Sequence, residues 1–221
     1  MVSDKKLRSP LLSILYEQYL DNQDPGVFGQ KVSRCYSPGT LQRLVKHHLR
    51  EVRRAAVLAI GFIGDYGSNH VLGCALLDDD RTVRLIAQNG IRSIWTRAGN
   101  EEHRRQLDIV MRLNAAQEYE EAVGRATKLI DEAPWFAEAW RQRAAAYFHL
   151  KHFAESIRDD HEALEINPYH FAAASNMGQA YLELENYTSA LESFRRALRL
   201  NPDLDGVRAK VIRLARMVED K

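Results

Sequence analysis

Leu164-Glu-Ile-Asn-Pro168 and Leu198-Arg-Leu-Asn-Pro202 are near copies 34 residues apart, and Pro134 stands one further step of 34 upstream. Other positions keep the same step. Tyr147 recurs as Tyr181. Tyr119, Phe153 and Tyr187 form an aromatic series, and Ala122, Ser156 and Ala190 form a series that is always small. Leu129, Ala163 and Ala197 form another. A fixed period of this length marks stacked helical hairpins. Proline cannot continue a helix, so it closes the second helix of one copy and opens the next. The small residue lets two helices approach, and the aromatics fill the space beside them. One such pair cannot cover its own apolar face, so copies stack to bury a shared core.

On these residues the segments 103–136, 137–170 and 171–204 resemble three tetratricopeptide repeats (TPRs). The third carries Gly178, Tyr181, Ala190, Phe194, Ala197 and Pro202 in the family register. The second carries Trp140, Ala144, Tyr147, Ala163 and Pro168, with Ser156 and Asp160 where the family has alanine and an aromatic. The first keeps Tyr119, Ala122 and Pro134. Residues 205–218, DGVRAKVIRLARMV, repeat the first-helix pattern once and resemble the solvating helix that closes such arrays.

The N-terminal half has its own period. Val52-Arg-Arg-Ala-Ala-Val-Leu-Ala-Ile-Gly and Val83-Arg-Leu-Ile-Ala-Gln-Asn-Gly-Ile-Arg align with a step of 31. Short helix patterns precede each, beginning at Thr40 and Asn69. The stretch from Leu76 to Arg84 resembles the turn within a HEAT repeat, in the short form found in phycobilisome lyases. Two such repeats span about 38–66 and 67–98, with one or two capping helices over 10–36. Asp78 to Asp80 are placed to cap the following helix and to pair with Arg84. The expected fold is therefore all-α: an α-solenoid of HEAT-like helix pairs (residues 1–100), then three TPR pairs and a cap helix (101–221). Between Trp95 and Glu101 stand only Thr-Arg-Ala-Gly-Asn, with Gly99 a natural helix-ending residue. That spacing predicts a join without a linker and Trp95 packed at it.

Composition narrows the function classes. The 221 residues are 45% hydrophobic and 28% charged, with 31 Lys and Arg against 30 Asp and Glu. A near-neutral chain lacks the basic excess of a nucleic-acid or membrane-surface binder. No apolar run nears the ~18 residues that span a bilayer. MVSDKKLRSPLLSILYEQYL lacks the cleavage site of a secretory signal, so a cytoplasmic protein is expected. The two cysteines, Cys35 and Cys74, form no CxxC pair and read as reduced, buried thiols.

Nothing points to catalysis. Gly61-Phe-Ile-Gly64 ends a helix rather than cradling a phosphate, and no hydrolase or kinase motif occurs. His149 and His152 share a helix edge with no third ligand, so neither metal nor cofactor is expected. Arg53, Arg54 and Arg84 read as structural partners of the acidic turn.

In the TPR family the first helix of each pair lines a concave groove, and the helical period picks out the residues that would face it. In the first pair these are Arg104, Leu107, Asp108 and Met111. In the second they are Glu138, Arg141, Gln142, Ala145, Phe148 and His149. Ala172, Ser175, Asn176, Gln179 and Glu183 follow, and the cap helix adds Lys210 and Arg213. Asn176 stands where the family often places an asparagine that bonds a ligand's backbone. The resemblance also implies a test for the family's carboxylate clamp. Leu107, Met111, Ala145 and Gly206 stand at clamp positions, so a general peptide groove is the better expectation. The expected function is a non-catalytic scaffold or adaptor holding a protein segment, with a monomer favoured. Two alternatives remain: an accessory or lyase-like protein built on the HEAT-like half, and a self-assembling module using Leu11, Leu12, Ile14 and Leu15.

Overall fold

The computed structural model describes residues 10–219, with only the backbone of Glu219. The leading MVSDKKLRS of the leader reading, and residues 220 and 221, lie outside the described residues. Among the described residues all regular structure is helical, and two compact units divide between Ile94 and Trp95.

In the first unit α1 (Leu11–Asn22), α2 (Pro25–Cys35), α3 (Pro38–Leu44) and α4 (Arg50–Ile63) precede a 3-10 turn at Tyr66–Ser68. Then come α5 (Asn69–Ala75) and α6 (Arg81–Arg97). Asp24 and Ser37 cap α2 and α3 through Val27 N–H and Thr40 N–H, each with proline at the first helical position. Val52, Ala55, Ala56, Ala59 and Ile60 of α4 are buried, as are Val83, Ala87, Ile91 and Ile94 of α6. Their spacing of three and four is the inward stripe of a helix. Where the two helices cross, a Cβ on Gly61 would lie 2.9 Å from the Gly90 Cα, so only glycine fits.

The 31-residue step has a physical anchor. Arg53 Nη1 donates to the carbonyls of His47 and His48 at 3.1 and 3.3 Å. Arg84 Nη1 donates to those of Asp78 and Asp79 at 2.9 and 3.3 Å, the same contact one step later. The acidic turn caps and pairs as expected of it, through Arg53 and Arg54. Its carboxylates reach back to the previous pair: Asp78 accepts both arms of Arg53 at 2.8 and 2.9 Å, and Asp80 accepts both arms of Arg54 at 2.9 and 2.6 Å. Asp80 also caps α6 by accepting Val83 N–H at 2.9 Å. The Arg54 bond, with the Val83 bond, holds its carboxyl down to about 2 against the effect of burial.

Two expectations are corrected here. Cys35 and Cys74 are free but exposed. Cys35 is the last residue of α2. On α5 the helical period turns Leu72, Gly73 and Ala75 inward and leaves Cys74 outside, its Sγ 3.8 Å from His70 Nε2. On α1, Leu12 and Leu15 are buried, so only Leu11 and Ile14 of the proposed sticky quartet are exposed.

The second unit contains α7 (Glu101–Ala115), α8 (Tyr119–Glu132), α9 (Ala137–His149), α10 (Phe153–Ile166), α11 (Phe171–Glu183), α12 (Tyr187–Leu200) and α13 (Asp205–Glu219). Three helix pairs thus precede a closing helix, each packed on the next. The 34-residue step is visible in the backbone. Gln117, Lys151 and Glu185 end the first helices in the left-handed region, at φ 64°, 63° and 56°. The next N–H, of Glu118, His152 or Asn186, reaches back to the carbonyl of Leu113, Tyr147 or Tyr181, each at 2.9 Å. This is the Schellman closure that satisfies orphan carbonyls. The Asn-Pro ends explain themselves too. Asn167 and Asn201 are buried and accept the N–H two residues on, so each builds the turn around its proline.

Packing follows the repeated residues. A Cβ on Gly178 would lie 2.8 Å from the Phe194 ring, so the glycine is what lets α11 and α12 close on that ring. Phe194 joins Ala163, Ala174, Ala190, Ala197, Val207 and Leu214 in one buried cluster. Trp95 is buried and stacks on His170, with ring centroids 4.2 Å apart. Gly99, at φ +84°, follows the end of α6.

Candidate functional site

The first helices of the second unit carry the expected binding residues, and repeat register decides which are available. In the third pair Phe194 fills the space below α13, and Lys210 Nζ lies 5.4 Å above its ring. Burial lowers the Lys210 ammonium pKa. One step earlier the same two positions are Asp160 and Asn176. Asn176 Nδ2 donates to Asp160 Oδ2 at 2.5 Å and to Ser156 Oγ at 3.2 Å. Asn176, expected to bond a ligand, thus spends its amide nitrogen joining α10 to α11. Asp160 is fully buried and its Oδ1 has no partner. Burial pushes its carboxyl well above the usual carboxylate range, and the Asn176 bond and the Arg141 charge only partly oppose this.

Glu138 and Gln142 are also corrected. Both are buried, at 6% and 7% exposure, because they bond each other and their neighbours instead of facing an open groove. Gln142 Nε2 donates to Glu138 Oε1 at 2.7 Å, and Asn114 Nδ2 donates to the Gln142 side chain and carbonyl, both at 3.0 Å. Glu138 Oε2 meets His170 Nε2 at 3.0 Å, while His170 Nδ1 accepts Ala173 N–H. One neutral His170 tautomer, with its proton on Nε2, serves both contacts. Burial works to raise the Glu138 pKa, but the His170 bond, the Arg141 charge and the Gln142 bond bring it below its usual value. Arg141 Nε lies 3.8 Å from Glu138 Oε1, and the side chain keeps 24% exposure.

The remaining residues reach solvent to differing degrees. Ala145, Phe148, Ser175, Gln179 and Lys210 are half-buried, and His149 and Arg213 are exposed. His149 stacks on Tyr119 at 4.6 Å, which ties the second pair to the first. Sequence reasoning missed Arg143, which donates both arms to Asp159 at 2.7 and 2.9 Å and a third bond to Thr127 at 3.0 Å. The signal was present: the two residues stand 16 apart, the same separation as Asp160 and Asn176 or Phe194 and Lys210. Among the described residues no His, Cys, Asp and Glu side chains gather to hold a metal ion. None of the described helices is long and apolar enough to cross a membrane.

Residues 172–204 match the family model for the tetratricopeptide repeat. The chain carries a TPR. Solved structures with the same fold include the first TPR of Spaghetti (RPAP3) bound to the HSP90 peptide SRMEEVD. It is 24% identical, with a TM-score of 0.52, over 55% of this chain and 96% of that one. The first TPR domain of the human RPAP3 protein is 25% identical, with a TM-score of 0.50, over 52% and 91%. The Sgt2 TPR domain of Aspergillus fumigatus is 22% identical, with a TM-score of 0.52, over 56% and 83%. No curated protein matches the sequence.

Proposed function

We propose that this TPR-containing chain is a non-catalytic, cytoplasmic adaptor that holds a segment of another protein along the first helices of its second unit. The observation that carries this reading is the run of small and polar residues on α11 and α13. Ala172 and Ser175 on α11 stand one step before Gly206 and Ala209 on α13, which leaves room for a ligand's backbone. Gln179, Lys210 and Arg213 flank that room. The fold supports the same use, since the similar first TPR of Spaghetti is solved with an HSP90 peptide bound.

The site is narrower than the sequence suggested. Glu138, Gln142 and His170 fill the face of the second pair with their own bonds. The proposed channel therefore runs from Arg141 and Ser175 to Arg213. Residues 101–219 are read as three TPRs with a closing helix. The pairs α3–α4 and α5–α6 are read as HEAT-like, on the support of the Arg53 and Arg84 contacts that recur with their step. The chain acts as a monomer in this reading, since Leu12 and Leu15 are spent in its own core.

The test is affinity capture from the native extract with wild type, a Lys210→Glu/Arg213→Glu variant, and Glu162→Arg on α10 as control. Loss of the same partners only with the α13 variant supports the reading. An unchanged partner set with that variant removes it.

A further inference from the structure

The third pair differs from the second at a place away from these first-helix faces. In the second pair, Arg143 on α9 and Asp159 on α10 fill the space between their helices with a two-armed ion pair. One step of 34 later the same positions are Met177 and Ser193. No ion pair forms there, and the place is an open depression of about 470 Å³. Its rim is reversed in charge. Where α10 has Glu162 and Glu165, α12 has Arg196 and Arg199, and both line the depression with Tyr181, Ser189, Ser193 and one carboxylate, Glu192.

These arginines also differ from arginines elsewhere on the second helices. On α8, Arg125 pairs with Glu121 at 3.3 Å, and on α10, Arg158 pairs with Glu155 at 3.9 Å. Among the described residues no carboxylate lies within 4.0 Å of the Arg195, Arg196 or Arg199 guanidinium, although Glu192 is one turn away. Residues three apart on a helix are neighbours, so Arg196 and Arg199 can turn their forks on one compact anion. A phosphate monoester has nearly two charges and three acceptor oxygens at neutral pH, which answers two forks and a hydroxyl better than a single carboxylate does. The depression is larger than a phosphate, and Met177 gives it an apolar floor. It therefore has room for the residues on either side of the phosphate.

We propose that this depression docks a phosphorylated segment of a partner protein, with Arg196 and Arg199 holding the phosphate and Ser189 or Tyr181 donating to it. The test is an NMR titration of the full chain that follows backbone amides and arginine side-chain N–H signals. The probes are a capped peptide Ala-Ala-phosphoserine-Ala-Ala, its unphosphorylated form, its glutamate form, and inorganic phosphate. Saturable shifts at Arg196, Arg199 and Ser189 are expected with the phosphopeptide. Binding should be at least about tenfold weaker for the unphosphorylated and glutamate peptides, because a lost charge-assisted bond is worth that much, and weaker also for inorganic phosphate, which lacks the flanking residues. Arg196→Lys/Arg199→Lys, which keeps charge but removes the forks, should weaken phosphopeptide binding while leaving the other resonances in place. Three results would overturn the proposal: no saturable shift, shifts centred on Lys210 and Arg213, or inorganic phosphate binding as tightly as the phosphopeptide.

Discussion

At the scale of single residues, Asp160 is the costliest group in the second unit. Its carboxyl is fully buried, one oxygen has no partner, and burial raises its pKa well above the usual range. An acid whose folded pKa is raised weakens the fold once pH exceeds its unfolded value, and the full penalty is reached above the folded value. Below both values the penalty vanishes. Asp160→Asn keeps an acceptor for Asn176 and removes the charge. It is expected to raise the melting temperature at neutral pH, gaining ~1.4 kcal/mol for each unit of pKa difference removed, with the gain shrinking as pH falls toward 4. A thermal melt series from pH 4 to 8 checks this; an equal effect at every pH would contradict it. Glu138 has the opposite sign. Its pKa is lowered, so its contribution is present above the ordinary glutamate range and is lost as pH falls through the folded value.

Residue identity also explains what the sequence could and could not tell. Asp160 and Ser156 stood out as departures from the repeat, but their partner was hidden. The register was readable, because Phe194 and Lys210 keep the same separation. The chemistry was not, since an asparagine on a first helix reads as a ligand contact until its amide is seen bonded to Asp160. Glu138 and Gln142 failed for the same reason. Their periodicity put them on the expected face, and only the approach of Asn114 and His170 closes it. The backbone was more legible. Proline, glycine and the small series mark helix ends and crossings, and these depend on local sterics.

Elements show how much rests on a few contacts. Asp80 joins α4 to α6 twice over, by its bonds to Arg54 and by capping Val83 N–H. Asp80→Ala should cost about 1–2 kcal/mol of unfolding free energy, and Asp80→Asn less, because asparagine keeps the cap. Since the carboxyl titrates at about 2, the ion-pair share is present at neutral pH and is lost as pH falls through that value. Denaturant melts of the two variants separate cap from pair; equal losses would contradict the division. The closing helix α13 buries Val207 and Leu214 on the Phe194 cluster. Ending the chain after Leu204 should cost roughly 3–6 kcal/mol, about 1.5–3 for each buried aliphatic side chain, and should expose a dye-binding apolar surface. A truncated chain with unchanged melting and no dye binding would show that α13 does not close the core.

Within the second unit the 34-residue step supplies both sameness and difference. The turn at Gln117, Lys151 and Glu185 is copied three times, and the helix pairs stack because each copy ends alike. Against that constant frame the side chains vary. The second pair seals its first-helix face and fills its outer space with Arg143 and Asp159, while the third leaves both more open. The copies therefore differ in use, with internal cohesion in the second pair and, in the proposed reading, binding in the third pair and closing helix. Phe194→Ala tests the cohesion side, with an expected loss of about 3–5 kcal/mol from the cavity it leaves.

The most direct test of the central claim is site-specific photo-cross-linking in the native extract. A photoreactive residue is placed at Gln179 on α11 in one chain and at Arg158 on the outer side of α10 in another. A partner segment cross-linked from position 179 and absent from position 158 is the predicted result. Cross-linking of the same partner from 158 alone, or equally from both, would contradict the account.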